Sequence, residues 1–449
     1  MSESAGDRER YPTLSEAGQR MLDFMREHRA APIFRNQSGN RLSAAEVESL
    51  RVYERKILAA HVGWPQGGLP TWVADFATRT CMDVPFYRAL GKLPVRFEEL
   101  PTVCRADFAA DIARFVPDSV ELDRLINFRT TGTTGNPLLI ASHPLVAGRY
   151  LAYHKRALRH FGIELSHGPG QVGVVLLGYQ RKCFTYVSVT PVMNESGLAK
   201  INLHPDDWRN PQDRATYLDA LAPEVIAGDP LSFAELLQLP ITAKPKALIS
   251  VAMTLSPGLR NALAARFNCP VLDIYSLNEV GPVGVFDSVT NGHILLQPQL
   301  YVEILDQDGR QVAAGERGEI TLTGGFNFCL PLLRYRTGDY AALSFNTETP
   351  TLMGLAGRAP VRFRGAHGVW ANNIDVTHAL GLLALPQFGL HQHADGSLVL
   401  RLAKSALSLA DVALAALKPL FGGEVIAVEA ISAEDKIVQY TSAMEGAHA

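Results

Sequence analysis

Long apolar runs are missing from this chain: one of the longest, Val172–Gly178 (VGVVLLG), falls far short of the roughly 20 residues a membrane-spanning helix needs. Charge of one sign is missing too. The sequence balances 42 Lys and Arg against 45 Asp and Glu, a formal charge of −3, so no basic excess points to nucleic acid or anionic lipid and a small-molecule partner is expected. Cysteine is scarce and scattered. Cys81, Cys104, Cys183, Cys269 and Cys329 form no CxxC pair, which argues against a disulfide framework or a zinc knuckle and for reduced, mostly buried thiols. Neither a Gly-x-Ser-x-Gly elbow nor an HExxH helix occurs, leaving hydrolase and zincin readings without support. The opening MSESAGDRER is polar with no apolar stretch behind it, and a cytoplasmic protein is expected.

At 449 residues the chain exceeds one ordinary core and should divide into two or three domains. Ser43 and Glu46 stand in capping-box spacing ahead of Val47, Leu50, Ile57 and Leu58, which predicts a surface helix ending at Gly63. From about residue 120, short apolar runs (QVGVVLLG, VIAGDP, KALISVAM, PVLDIYSL) alternate with amphipathic segments such as PGLRNALAARF, a pattern that predicts a largely parallel sheet covered on both faces. Between about 290 and 356 the texture becomes alternating strands with turns at DQDGR and GERGE, a β-rich hairpin subdomain. From 357 to 449, SLVLRLA, SLADVALAALKPLF and EVIAVEAI predict a small α+β domain. The fold class is therefore α/β: a large N-terminal domain over 1–356 and a small C-terminal one.

Phe128–Pro144 reads FRTTGTTGNPLLIASHP. Its glycines allow tight bends, and its hydroxyls and N–H groups can converge on one anion such as a phosphate chain. The GxxxxGK[ST] spacing is absent, which removes a Walker-type nucleotidase. On the residues alone, an ordinary connection between a strand and a helix stays open beside the phosphate reading.

Several stretches, in order, resemble the adenylate-forming enzymes, specifically the phenylacetate-CoA ligase branch: VPFYRAL with FEELPTVCRADF, then Thr130–Pro137, YSLNEVGP (Tyr275–Pro282), LLRYRTGD (Leu332–Asp339) and Gly357–Arg358. The resemblance runs from about residue 80 to the C-terminus. It implies the adenylate-forming fold with a mobile small domain, and an acid-thiol ligase that activates a small carboxylic acid, aromatic acids among the candidates, with ATP and Mg2+ before transfer to coenzyme A. By resemblance Thr130, Thr131, Gly132, Thr133, Thr134 and Gly135 wrap the triphosphate, Glu279 holds magnesium and Tyr275 stacks on adenine with Ser276 and Asn278 beside it. Asp339 accepts from the ribose hydroxyls, Arg358 contacts the nucleotide at the domain junction, and Lys436 is the mobile catalytic lysine. Arg336 is assigned to a structural ion pair. Tyr179, Phe184, Tyr186 and Met193 lie where the acyl pocket begins, with Arg181 and Lys182 as partners for a second acidic group on the substrate.

The sequence departs from the pattern at four places. Asn136 stands where the branch usually has lysine, Ser276 and Asn278 replace a glycine and a Ser/Thr, Asp435 replaces the glycine before the lysine, and GRAPVRFRG lacks the acidic hinge residue. These keep open an acyl acceptor other than coenzyme A, a carrier protein or an amine, and a nucleotide-binding homologue without catalysis. A homodimer is compatible with the resemblance, and composition does not decide it. His391 and His393 are expected near an exposed turn.

Overall fold

The computed structural model describes residues 6–91, 94–129, 138–357, 361–422, 424–431 and 437–447. One mixed sheet organises the larger part of the chain. Its parallel section joins Val271–Leu277, Ala247–Ser250, Val225–Gly228, Val172–Gly178 and Ser196–Asn202 in that spatial order, and four of these five strands are the apolar runs of the sequence. Such runs carry Val, Ile and Leu on both faces because helices cover both sides of a parallel sheet; Val175, Ile226, Leu248 and Leu272 are each at most 1% exposed.

The β-rich stretch continues this sheet. Gly281–Asp287 returns antiparallel to Val271–Leu277, and Gly292–Leu295, Thr351–Gly357, Leu332–Ser344, Arg317–Gly324 and Leu300–Leu305 follow in spatial order. Along this path the sheet is thus parallel only in its middle section, because hairpin connections such as Asp306–Arg310 are too short for a parallel crossover; off the path, the short strand Val103–Cys104 pairs in parallel with Leu332–Ser344. In that turn Asp306 accepts hydrogen bonds from the backbone of Asp308 and Arg310.

The capping-box helix spans Ala44–Ala59, with Ser43 and Glu46 bonded as their spacing predicts. It stops short of Gly63 because Ala60 turns extended and Val62 is drawn, 1% exposed, into another part of the core. Its Leu50 packs on Gly148 of the helix Pro144–His160. The five cysteines are free thiols; Cys81 and Cys329 are buried and the other three half-buried.

A second, four-stranded sheet lies near the C-terminus, in the order Ile426–Ala430, Leu398–Leu402, Phe388–Gln392, Tyr440–Ser442. The helices Asn373–Gly381 and Ala410–Phe421 close its core through Val376, Leu380, Leu417 and Phe421. The two parts touch where Ser256 Oγ donates to the carbonyls of Leu383 (3.1 Å) and Leu385 (3.3 Å). His391 and His393 stack edge to face at 4.4 Å, and His391 Nδ1 lies 2.8 Å from Thr441 Oγ1. No described helix is long and apolar enough to cross a membrane.

Candidate active site

The strand Val271–Leu277 ends in Tyr275, Ser276 and Leu277, and a three-residue turn, Asn278–Val280, leads to Gly281 at φ +78°. That turn type needs a left-handed residue at its end, which glycine adopts without strain. A Cβ at Gly281 would also sit 2.5 Å from the Phe326 ring. The turn is therefore pinned, and it carries Glu279 inward: the carboxylate is 5% exposed, whereas Asn278 faces solvent. Tyr150 donates its hydroxyl to the Asn278 carbonyl at 3.3 Å. Ser276 is half-buried and pairs with Pro282 across the hairpin.

On the other side stands the strand Leu332–Ser344, which contains RYRTGD. Arg334 is almost fully buried, paired with Glu303 at 3.1 Å and donating to the carbonyls of Glu98 and Leu100. Arg336 pairs with Glu319 at 2.5 Å, the structural ion pair expected of it. Glu319 also accepts from the Gly338 amide at 3.0 Å, and Thr337 Oγ1 accepts from the Asp339 amide at 3.1 Å while donating to the Ile320 carbonyl. Together these bonds fix the backbone beneath Asp339.

Tyr275 Oη donates to Asp339 Oδ2 at 2.8 Å. Three strands separate these two in the sheet order, so a flat sheet would hold them about 19 Å apart at ~4.8 Å per step. The sheet curls to bring them together. Burial, then the neighbouring carboxylates, hold the phenols of Tyr275 and Tyr335 well above the usual range, so both remain hydrogen-bond donors.

Glu279 is held from two sides that the sequence did not disclose. Tyr335 donates its hydroxyl to Oε1 at 3.2 Å, and Arg105 Nη1 lies 3.6 Å from the same oxygen. Burial raises the Glu279 pKa, opposed by the Tyr335 hydrogen bond and the Arg105 charge. Arg105 arrives through a short strand, Val103–Cys104, whose parallel register sets Val103 against Tyr335 and Cys104 against Arg336. Phe108 then stacks on Tyr335 at 5.0 Å and 11°. The quoted CRADF and RYRTGD stretches contain both residues, but only the pairing of these two strands shows that they meet Glu279.

The site fits magnesium in one manner. A single buried carboxylate oxygen donor is what this hard cation takes from a protein when phosphates and water supply its other ligands. Among the described residues no cluster of three or more His, Cys, Asp or Glu forms an all-protein cage. Thr130, Thr131, Gly132, Thr133, Thr134, Gly135, Asn136, Arg358 and Lys436 lie outside the described residues. On either side of residues 130–137, Ile126–Arg129 pairs antiparallel with Leu139–Ser142; the helix begins only at Pro144, its first turn capped by His143 Nδ1.

Tyr186 and Met193 sit on and beside the strand Tyr186–Thr190; Met193 is 1% exposed, whereas Phe184 is 67% exposed. A cavity of about 740 Å³ lies elsewhere, among Phe76, Arg79, Asp83, Arg124, His143 and Phe328, and none of the expected site residues lines it.

No protein-family model matches the chain. Segments of 89 and 96 residues are 36% and 32% identical to the phenylacetate-coenzyme A ligases of Escherichia coli strain K12 and Pseudomonas putida, covering 19% and 20% of this chain. They span only 20% and 22% of those proteins. Solved structures of a 2-hydroxyisobutyryl-CoA ligase in the postadenylation state, with R3-HIB-AMP and with 2-HIB-AMP, are similar at TM-scores of 0.59 and 0.57. Identity is 16% in both cases; the match covers 89% of this chain and 90% and 89% of theirs.

Proposed function

We propose that this chain, which has the fold of the adenylate-forming CoA ligases, is an AMP-forming acid-thiol ligase for a small carboxylic acid. The observation that carries the reading is the Tyr275–Asp339 bond beside the buried Glu279. Those residues, expected from two separate motifs, meet at one place only because the sheet curls.

In this reading the acid's oxygen attacks the α-phosphorus of ATP, pyrophosphate leaves, and coenzyme A displaces AMP from the acyl-adenylate. Asp339, its backbone fixed by Thr337 and Glu319, accepts from the ribose hydroxyls, and Tyr275 supplies a ring face for adenine whose orientation its bond to Asp339 fixes. Residues 130–135 hold phosphate oxygens, with Ser276, Asn278 and Arg358 bordering the nucleotide. Glu279 would hold magnesium, which would supply positive charge to offset that of the phosphates. Lys436 brings a cation to the carboxylate and α-phosphate. The division near residue 357 lets the small domain change position between the two half-reactions. A cytoplasmic setting, where ATP and coenzyme A are both available, goes with this reading, and nucleic acid and membrane have no part in it.

The missing acidic hinge residue in GRAPVRFRG favours a second reading, in which a carrier protein or an amine takes the acyl group. Pyrophosphate release from Mg-ATP, measured against aryl and short aliphatic acids with and without coenzyme A, separates them. Release that needs one acid and is accelerated by coenzyme A supports the ligase. Acid-dependent release indifferent to coenzyme A supports the other acceptor, and nucleotide binding with no release from any acid overturns both.

A further inference from the structure

The cavity of about 740 Å³ is walled by separate stretches of chain, and its size falls within the roughly 300–1,000 Å³ of small-molecule sites. The helix Trp72–Asp83 turns Phe76, Arg79, Thr80 and Asp83 toward it, a spacing of three, four and seven residues that puts all four on one face. His143 and Leu145 enter from the start of the helix Pro144–His160, and Phe328 from the approach to Leu332–Ser344.

The polar groups of this wall divide by whether they already have partners. Asp83 accepts from the Ser119 amide at 3.0 Å and hydroxyl at 2.5 Å, and Glu46 pairs with Arg124 at 3.0 Å and accepts from the Ser43 amide at 2.8 Å. His143 is 9% exposed, and its Nδ1 accepts from the Leu145 amide at 3.0 Å. An amide N–H only donates, so the imidazole proton stands on Nε2 and makes that atom a donor. Burial, then the Arg124 charge, holds the ring below its usual pKa and keeps it in this neutral form. Neither His143 Nε2 nor the hydroxyl of Thr80, which is 4% exposed, has a partner among the described residues. Buried polar groups are ordinarily paired, and the cavity is where an acceptor reaches these two. Arg79, exposed and unpaired, adds a positive charge on the helix face of Thr80. Glu121, the lining carboxylate without a partner, comes from another stretch and is exposed.

We infer that this cavity is a second binding site, separate from the centre of Tyr275, Glu279 and Asp339, for a small carboxylate with an aromatic or other apolar body. Its carboxylate takes hydrogen bonds from His143 Nε2, the Thr80 hydroxyl and the Arg79 guanidinium, and its body packs on Phe76, Leu145 and Phe328. The inference does not depend on the ligase reading. His143 caps the helix whose Tyr150 donates to the Asn278 carbonyl, and Phe328 lies two residues from the Phe326 ring that confines Gly281. An occupant is thus seated against the supports of the Glu279 turn.

The test titrates the full chain, without nucleotide, with benzoate and with its uncharged counterpart benzamide by calorimetry. Benzoate should bind at least about tenfold more tightly. Arg79→Gln should weaken benzoate about tenfold, and Thr80→Val, which removes the hydroxyl at nearly constant volume, about threefold or more. Unchanged melting temperatures establish that both variants fold. In crystals soaked with 4-iodobenzoate, the anomalous iodine peak should lie beside Phe76 and Phe328. Absence of benzoate binding, equal affinity for the two probes, benzoate binding untouched by both variants, or an iodine peak only beside Tyr275 and Asp339 would each overturn the inference. The last two would leave the ligase reading standing, with its carboxylate held at the catalytic centre.

Discussion

At the scale of single residues, two carboxylates, one buried and one mostly so, set measurable behaviour. Replacing Glu279 by Gln keeps the shape of the turn and the acceptor for Tyr335 but removes the charge a divalent cation needs. Magnesium titrations of nucleotide binding should then shift to concentrations about tenfold higher or more; an unaltered titration would take Glu279 out of the metal role. Asp273 is the second. Burial pushes its carboxyl up to about 7 against the opposing pull of Arg260, 3.4 Å away. Because the folded chain keeps this proton when the unfolded chain has lost it, the group contributes stability that is present at low pH and lost as pH rises through about 7. Melting temperature should therefore fall between pH 5 and pH 8 in the wild type, and Asp273→Asn should flatten that slope. A slope equal in the two proteins would contradict the assignment.

At the scale of elements, the turn after Val271–Leu277 tolerates little change. Gly281 is confined by its positive φ and by the Phe326 ring 2.5 Å from where a Cβ would lie. Gly281→Ala should cost about 2 kcal/mol or more in urea unfolding, from the conformation and the collision together, and should weaken Mg-ATP binding because Glu279 rides on that turn. The elements themselves were largely legible in the sequence. The Ser43 box and the apolar runs at 172–178, 225–228 and 247–250 depend on neighbours within a few positions, and each forms an element. The site was legible only in its members. Tyr275, Glu279 and Asp339 stand in recognisable motifs, but the partnership of Glu279 with Tyr335 and Arg105 follows from a two-residue strand, Val103–Cys104, too short to leave a periodic signal. The mixed character of the sheet was hidden for a related reason, since an apolar strand reads the same whichever way its neighbour runs.

At the scale of the whole molecule, the small C-terminal part rests on the N-terminal end of the helix Pro257–Phe267. A Cβ on Gly258 would stand 2.3 Å from the Leu383 carbonyl carbon, a distance no packing adjustment of a side chain can relieve. Gly258→Ala should therefore displace the small part: X-ray scattering should show a larger radius of gyration while far-ultraviolet circular dichroism stays constant. If the two half-reactions use different placements of that part, the variant should also change the ratio of pyrophosphate release to thioester formation. Identical scattering curves would remove Gly258 as a docking contact.

The bond between Tyr275 and Asp339 closes a loop of 64 residues. It joins the two ends of a curl, so it can form only after the intervening strands have taken their places, and a chain that is folded in part has no half-made version of it. Nucleoside held there would act as a clasp on the finished curl. Its protection against amide exchange should then spread along the five strands that run in the sheet order from Val271–Leu277 to Leu332–Ser344, well beyond the residues it touches, and the ligand would report on completed molecules alone.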